Sequence, residues 1–247
     1  MVKKIITYLI VGLYALMLTS CGFQDWRTAP RHSAGLAPLP EKEPKAVVQV
    51  YAARAINWRG WFAVHTWVAT KEANANHYTV YQVMGWQLRR TGYSVMIADD
   101  IPDRYWYGAK PYIIEELRGA EAAAAIPKIK AAAASYPYND TYRVWPGPNS
   151  NTFVSHIIRN VPELGVELPP HAIGRDWLNG SALSARSETG TGYQVSLLGA
   201  LGFTAGKAEG LEINILGLTF GVDVASPALK LPFIGRIGVT DKAVGRP

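Results

Sequence analysis

Three side chains in this sequence have the types and spacing for nucleophilic catalysis: Ser150, His65 and His77. Ser150 lies three, four and seven positions before Phe153, Val154 and Ile157. A helix opening at Asn149-Ser150-Asn151 would therefore turn the hydroxyl onto its apolar, inward face. Backbone N–H groups converge at such a helix start, so those near Asn151 would hold an oxyanion. His65 falls in one β-rich run and His77, twelve positions on, at the start of the next. An antiparallel pair of those runs can bring the two rings close. In this acyl-transfer reading Ser150 attacks, His65 shuttles the proton and His77 orients His65. A helix end favours the alkoxide by only about 0.3–1 kcal/mol. That is less than one pKa unit at ~1.36 kcal/mol per unit, so Ser150 would depend on direct proton removal by His65.

Structural roles compete for the same residues. Serine is a favoured N-cap, so Ser150 also reads as a cap. His65 also reads as a core histidine bonded to a carbonyl. His77 borders a polar turn, and Tyr81 or Gln82 could orient the base in its place. His156 is expected to face solvent, and His171, after Pro169-Pro170, is the best outsider for a site. No short-range ligand spacing supports zinc on His65, His77 and His171, so no metal or cofactor is implied. Asp99 and Asp100 are adjacent in a strand and point apart, which weakens a glycosidase reading. Trp145, Tyr136, Tyr138 and Tyr142 suit either a groove or the core.

The elements that must position these groups are legible as an α+β pattern. Strands are expected at residues 46–52, 61–70, 77–84, 93–98 and 111–117, where β-branched and aromatic residues concentrate. Residues 120–135, rich in alanine, read as a helix that Pro127 kinks or restarts. One-sided spacing at Phe153, Val154, Ile157, Ile158 and Val161 gives a second helix, limited by Pro162. Residues 163–191 read as a long loop with a helical turn near Trp177. In the tail, Leu211, Ile213 and Ile215 alternate with Glu212 and Asn214, and the phase shifts at Gly217 as at a β-bulge. Ser226-Pro227 would then turn the chain into a closing hairpin. Residues 190–206 are uncharged but too short and glycine-rich to span a membrane as a helix.

The amino terminus has the layout of an export signal: Lys3 and Lys4, an apolar run from Ile5 to Leu18, then Leu18-Thr19-Ser20-Cys21-Gly22. That ending resembles the lipobox of bacterial lipoproteins. The resemblance implies that Cys21 is lipidated, becomes the mature N-terminus and anchors the chain to a membrane. Gly22 follows it in place of an inner-membrane retention Asp, which implies the periplasmic face of the outer membrane. The proline-rich residues 21–45 read as an extended tether. Cys21 is the only cysteine, so no disulfide, cysteine metal site or thiol nucleophile is available. The formal net charge of +6 is modest and scattered, which argues against nucleic-acid binding.

The order of a strand histidine, a polar residue in the next strand, an alanine-rich helix and Asn149-Ser150-Asn151-Thr152-Phe153-Val154 at a helix start resembles the circularly permuted papain-like superfamily. Lecithin:retinol acyltransferase-like proteins and permuted cell-wall peptidases belong to it. The resemblance covers residues 61–161 and implies a nucleophile at Ser150, where that family has cysteine, a base at His65 and an orienting residue at His77. More closely, residues 146–154, 168–174 and 208–214 resemble a bacterial family known as domain of unknown function 3750, which implies no particular activity. The expected organisation is a signal at 1–20, a lipidated tether at 21–45 and one α+β domain at 46–247. Within the domain, a papain-like core covers 46–165 and a loop and hairpin extension 166–247. The expected function is a cell-envelope hydrolase or acyltransferase on amide or ester bonds, with peptidoglycan or lipid as substrate. The alternative is a non-catalytic envelope-binding lipoprotein.

Overall fold

The computed structural model describes residues 25–178 and 182–239; the leader, Cys21, Gly22 and the residues after 239 lie outside the described residues. The fold is α+β, with two antiparallel sheets. The first comprises β1 (Val47–Arg54), β2 (Val64–Lys71), β3 (Thr79–Val83), β4 (Val95–Asp99) and β5 (Tyr112–Arg118), in the order β4-β3-β2-β1-β5. Helix α1 (Gly85–Thr91) joins β3 to β4, and α2 (Ala120–Ala134) and α3 (Ser150–Asn160) follow β5.

Strands β1 and β2 are buried on both faces, so their sequences read as continuous apolar runs rather than as alternation. Val48, Val50 and Ala52 of β1 pack with Ile126, Phe153 and Ile157 of the helices. Val47, Tyr51 and Ala53 point the other way, into a second core with Trp67, Val80 and Trp106. Pro127 is accommodated inside α2 without ending it.

What covers that second face corrects the tether reading. The chain from Ala29 to Pro44 lies on the domain: Leu36 and Ala37 pack against the second core. The Asp103 carboxylate accepts from Ser33 Oγ at 2.9 Å and from the amides of Leu36 at 2.6 Å and Ala37 at 3.2 Å. Tyr78 donates its hydroxyl to Pro38 O at 3.0 Å. The prolines shape a fixed strap. Asp103→Ala would leave three donors without their acceptor, a loss of about 1–3 kcal/mol. Faster amide exchange at Leu36 and Ala37, with exchange in β1 unchanged, is the expected readout.

The carboxy-terminal region is larger than a hairpin. Strands β6 (Ser184–Arg186), β7 (Gly192–Leu197), β8 (Leu201–Gly206), β9 (Gly210–Ile215), β10 (Leu218–Asp223), β11 (Ala228–Leu231) and β12 (Gly235–Gly238) form a seven-stranded meander. The phase change at Gly217 is a tight turn, not a bulge: Leu216 and Gly217 both have positive φ, 53° and 77°, between directly paired β9 and β10. The sheet turns its polar residues inward. Gln194, Thr204, Glu212, Asn214, Thr219 and Lys230 are buried.

Residues 162–178 form the seam between the two halves. Leu164, Val166 and Leu168 join the helix-side core, while Glu167 points at Lys230 of the second sheet.

Candidate functional site

A cavity of about 270 Å³ opens at the end of the first sheet where β2 begins and β3 finishes. Its wall is mainly aromatic and aliphatic, including Phe62, Trp86, Trp106 and Tyr142, with polar groups from Arg59, His65, Asn149 and Ser150.

Ser150 is the first residue of α3, and its cap is Asn149 rather than itself. Asn149 Oδ1 accepts from the amides of Asn151 at 2.9 Å and Thr152 at 3.3 Å, and Thr152 Oγ1 accepts from the Asn149 amide at 3.1 Å. This reciprocal capping box leaves the Ser150 side chain unneeded for the helix end. It lines the cavity and makes no hydrogen bond among the described residues. The same box corrects the oxyanion expectation, because the Asn151 amide is already committed to Asn149. The Asn151 side chain is structural too: it accepts from Thr66 Oγ1 at 2.9 Å and donates to Val64 O at 3.0 Å and Ile173 O at 2.8 Å. A tight approach protects the cap. A Cβ on Gly174 (φ +103°) would stand 2.4 Å from Asn149 Nδ2.

His65 does reach the cavity, but from the other side of the sheet. It pairs across the ladder with Ala53, and its neighbour Trp67 with Tyr51, all on the second-core face. Thr66, on the opposite face, is the residue that bonds α3. Among the described residues no hydrogen bond joins His65 to Ser150. The imidazole lies flat on Trp106, with centroids 3.6 Å apart and planes 8° from parallel. Its Nε2 is 3.3 Å from Gln82 Oε1; a carbonyl oxygen only accepts, so Nε2 carries the proton. Gln82 thus holds His65, the position the sequence offered as a substitute for His77. Burial pushes the imidazole from 6.5 down to about 3, against a smaller opposing effect of the Gln82 bond. His65 is therefore neutral near pH 7 and a weak proton acceptor.

His77 is the clearest correction. It precedes β3, is exposed, and lies by Asn76 Oδ1 at 2.9 Å and Asp99 Oδ1 at 3.6 Å, away from the cavity. The two histidines do not form a pair. His171 lines a different cavity, with Lys230 and Arg236, and burial lowers its imidazole to about 4. His156 is buried rather than solvent-facing; its Nε2 lies 3.1 Å from both Ala132 O and Ser135 Oγ and pins α3 to the end of α2. Asp99 and Asp100 diverge, the latter to Arg104. Of the four aromatics, Tyr136 is core, whereas Tyr142 and Trp145 line the cavity. Among the described residues no cluster of three or more His, Cys, Asp or Glu side chains is arranged to hold a metal ion. The residues that sequence reasoning missed are Trp106 and Trp86, which come from loop and short-helix positions that no strand pattern marks.

The depressed His65 gives a stability prediction. The unfolded imidazole takes up its proton near 6.5 and the folded one only near 3, so the unfolded state binds more protons between those values. The stability linked to neutral His65 is complete above pH 6.5 and falls as the pH drops through this window. Relative to His65→Gln, the wild-type chain is expected to lose about 1.4 kcal/mol per pH unit below 6.5. Urea unfolding of both proteins at several values between pH 7 and pH 4 measures it.

No curated protein and no solved structure matches this chain. The family model described as Protein of unknown function (DUF3750) matches residues 45–177, which contain the whole first sheet, the three helices and the cavity. The chain belongs to that family.

Proposed function

We propose that this chain is a non-catalytic, ligand-binding lipoprotein of the cell envelope, anchored through Cys21 at the periplasmic face of the outer membrane, whose cavity takes a lipid acyl group. The observation that carries the reading is the attitude of His65: stacked on Trp106, held by Gln82 and turned away from the face that bears α3. A neutral, shielded imidazole serves a binding wall, whereas a proton shuttle for Ser150 needs it exposed to the hydroxyl. The mostly apolar lining with few polar groups suits an acyl chain, and Arg59 at the wall suits an anionic head. The lipobox-like leader supports the anchor.

One observation favours the second reading, a Ser–His hydrolase or acyltransferase on ester or amide bonds: the capping box spares the Ser150 hydroxyl, and it faces the cavity. Titration with a fluorescent fatty acid, alongside exposure to a fluorophosphonate, tests both. The proposal expects saturable binding, loss of at least tenfold in affinity in Ala63→Trp, which fills the cavity, and no covalent adduct. A fluorophosphonate adduct on Ser150 that His65→Ala suppresses overturns it in favour of the enzyme.

A further inference from the structure

The seven-stranded sheet is inside out relative to a sheet that faces water. Its outward side chains form cross-strand ladders: Val195–Phe203–Ile213–Phe220 in one row, and Tyr193–Ala205–Leu211–Val222–Leu229–Ile237 in the next. Every member is apolar or aromatic, nearly all are exposed, and no charged side chain of β7–β12 stands on this face. The charges of these strands, Glu212, Asp223, Lys230 and Arg236, all point inward to partners. Six strands at about 4.8 Å spacing and about five residues each at about 3.4 Å make a face of roughly 490 Å² before side-chain relief is counted. Single scattered apolar residues need no explanation, but a contiguous face of this size marks an interaction surface.

We infer that this face rests on a phospholipid bilayer, at the boundary of headgroups and acyl chains. Apolar-out, polar-in alternation is what a sheet adopts when its outer solvent is hydrocarbon. Among the described residues β6 and β12 are edges without a further strand, and an open edge does not cross hydrocarbon, so the sheet would lie on the surface. Two features favour a bilayer over a second copy of the chain. The apolar surface runs on past the sheet to the cavity rim: Trp145 Nε1 donates to Leu216 O at 2.9 Å, and Phe233 meets Phe62, which meets Trp58. A bilayer takes up the ladders and these adjoining exposed aromatics, Trp58, Phe62 and Trp145, as one apolar phase. The second feature rests on the anchor proposed above: a lipid on Cys21 would stand only four positions before Asp25, the first described residue, and would hold the domain at a bilayer. The inference stands whether the cavity binds or reacts.

The test uses the full-length chain reconstituted into phosphatidylethanolamine–phosphatidylglycerol vesicles. Ile213→Cys and, separately, Phe220→Cys carry a bimane label; Lys128→Cys, exposed on α2, is the control, and the chain without an added cysteine gives the background from Cys21. Nitroxide-bearing lipids should quench the two sheet labels at least threefold more than the Lys128→Cys label. Equal quenching at all three positions overturns the inference. So does excimer formation between pyrene-labelled Ile213→Cys chains, which would assign the face to a second copy.

Discussion

Replacing Trp106 with alanine is expected to return His65 to titration near neutral pH and to weaken acyl-ligand binding at least tenfold. The Trp106 indole covers one face of the imidazole at 3.6 Å and also meets Trp67, Trp86 and Tyr107. Burial is the largest cause of the lowered His65 basicity, and the Trp106 indole covers one face of the ring. Removing it hydrates the imidazole, and the charged form regains its solvation. Deleting a buried indole also costs about 3–5 kcal/mol of stability. Trp106→Leu keeps apolar cover at lower cost, and should leave His65 low while still weakening binding. NMR titration of the His65 ring in both variants separates the effects. A ring that stays near 3 in Trp106→Ala would show that other neighbours shield it, and would remove the argument that this stack makes the histidine a binding surface.

How much of this was legible in the sequence depends on which physical signal each part leaves. The strands of the first sheet and α3 announce themselves, because β-branched runs and one-sided apolar spacing each have a single good conformation. The direction of His65 does not. Val64 to Lys71 is buried at every position, so no polar phase tells which face receives the odd-numbered residues. Only the ladder with β1 settles it. The strap over the second core reads as a tether in the sequence because four prolines and many polar residues are what an exposed linker also contains. What distinguishes it is Asp103, some seventy positions away from Ser33. In the second sheet the alternation was plain at residues 211–215, but its polarity was not. Alternation fixes which residues share a face and leaves open which face meets solvent. Leu216 at positive φ hid the turn, since the sequence signal for such turns is asparagine or glycine.

Lys230→Met is expected to cost about 3–5 kcal/mol, the penalty for leaving a buried charge uncompensated. Lys230 Nζ sits at the inner face of the second sheet against Glu167 and Glu212, and donates to Glu209 O at 2.6 Å. Arg175 faces Glu212 as well, with Glu167 and Glu188 each at 3.8 Å. The cluster thus ties the seam at 162–178 to the sheet, and it gathers more carboxylates than cations. Burial and the neighbouring Glu212 hold Glu167 well above the usual carboxylate range, while Lys230 and Arg175 oppose them. Without Lys230 that carboxyl rises further. A folded-state value above the unfolded one contributes stability at low pH that is lost as the pH rises through it. The penalty of Lys230→Met should therefore be larger at pH 8 than at pH 5. For a chain of this size, about 2–4 °C of Tm accompanies each kcal/mol, so a drop of roughly 6–20 °C is expected at pH 8. Glu212→Gln added to Lys230→Met should recover part of the loss, because it removes one of the stranded charges. Equal Tm losses at both pH values, or no recovery in the double variant, would mean that water reaches this cluster and that the two halves of the fold are joined by apolar packing instead.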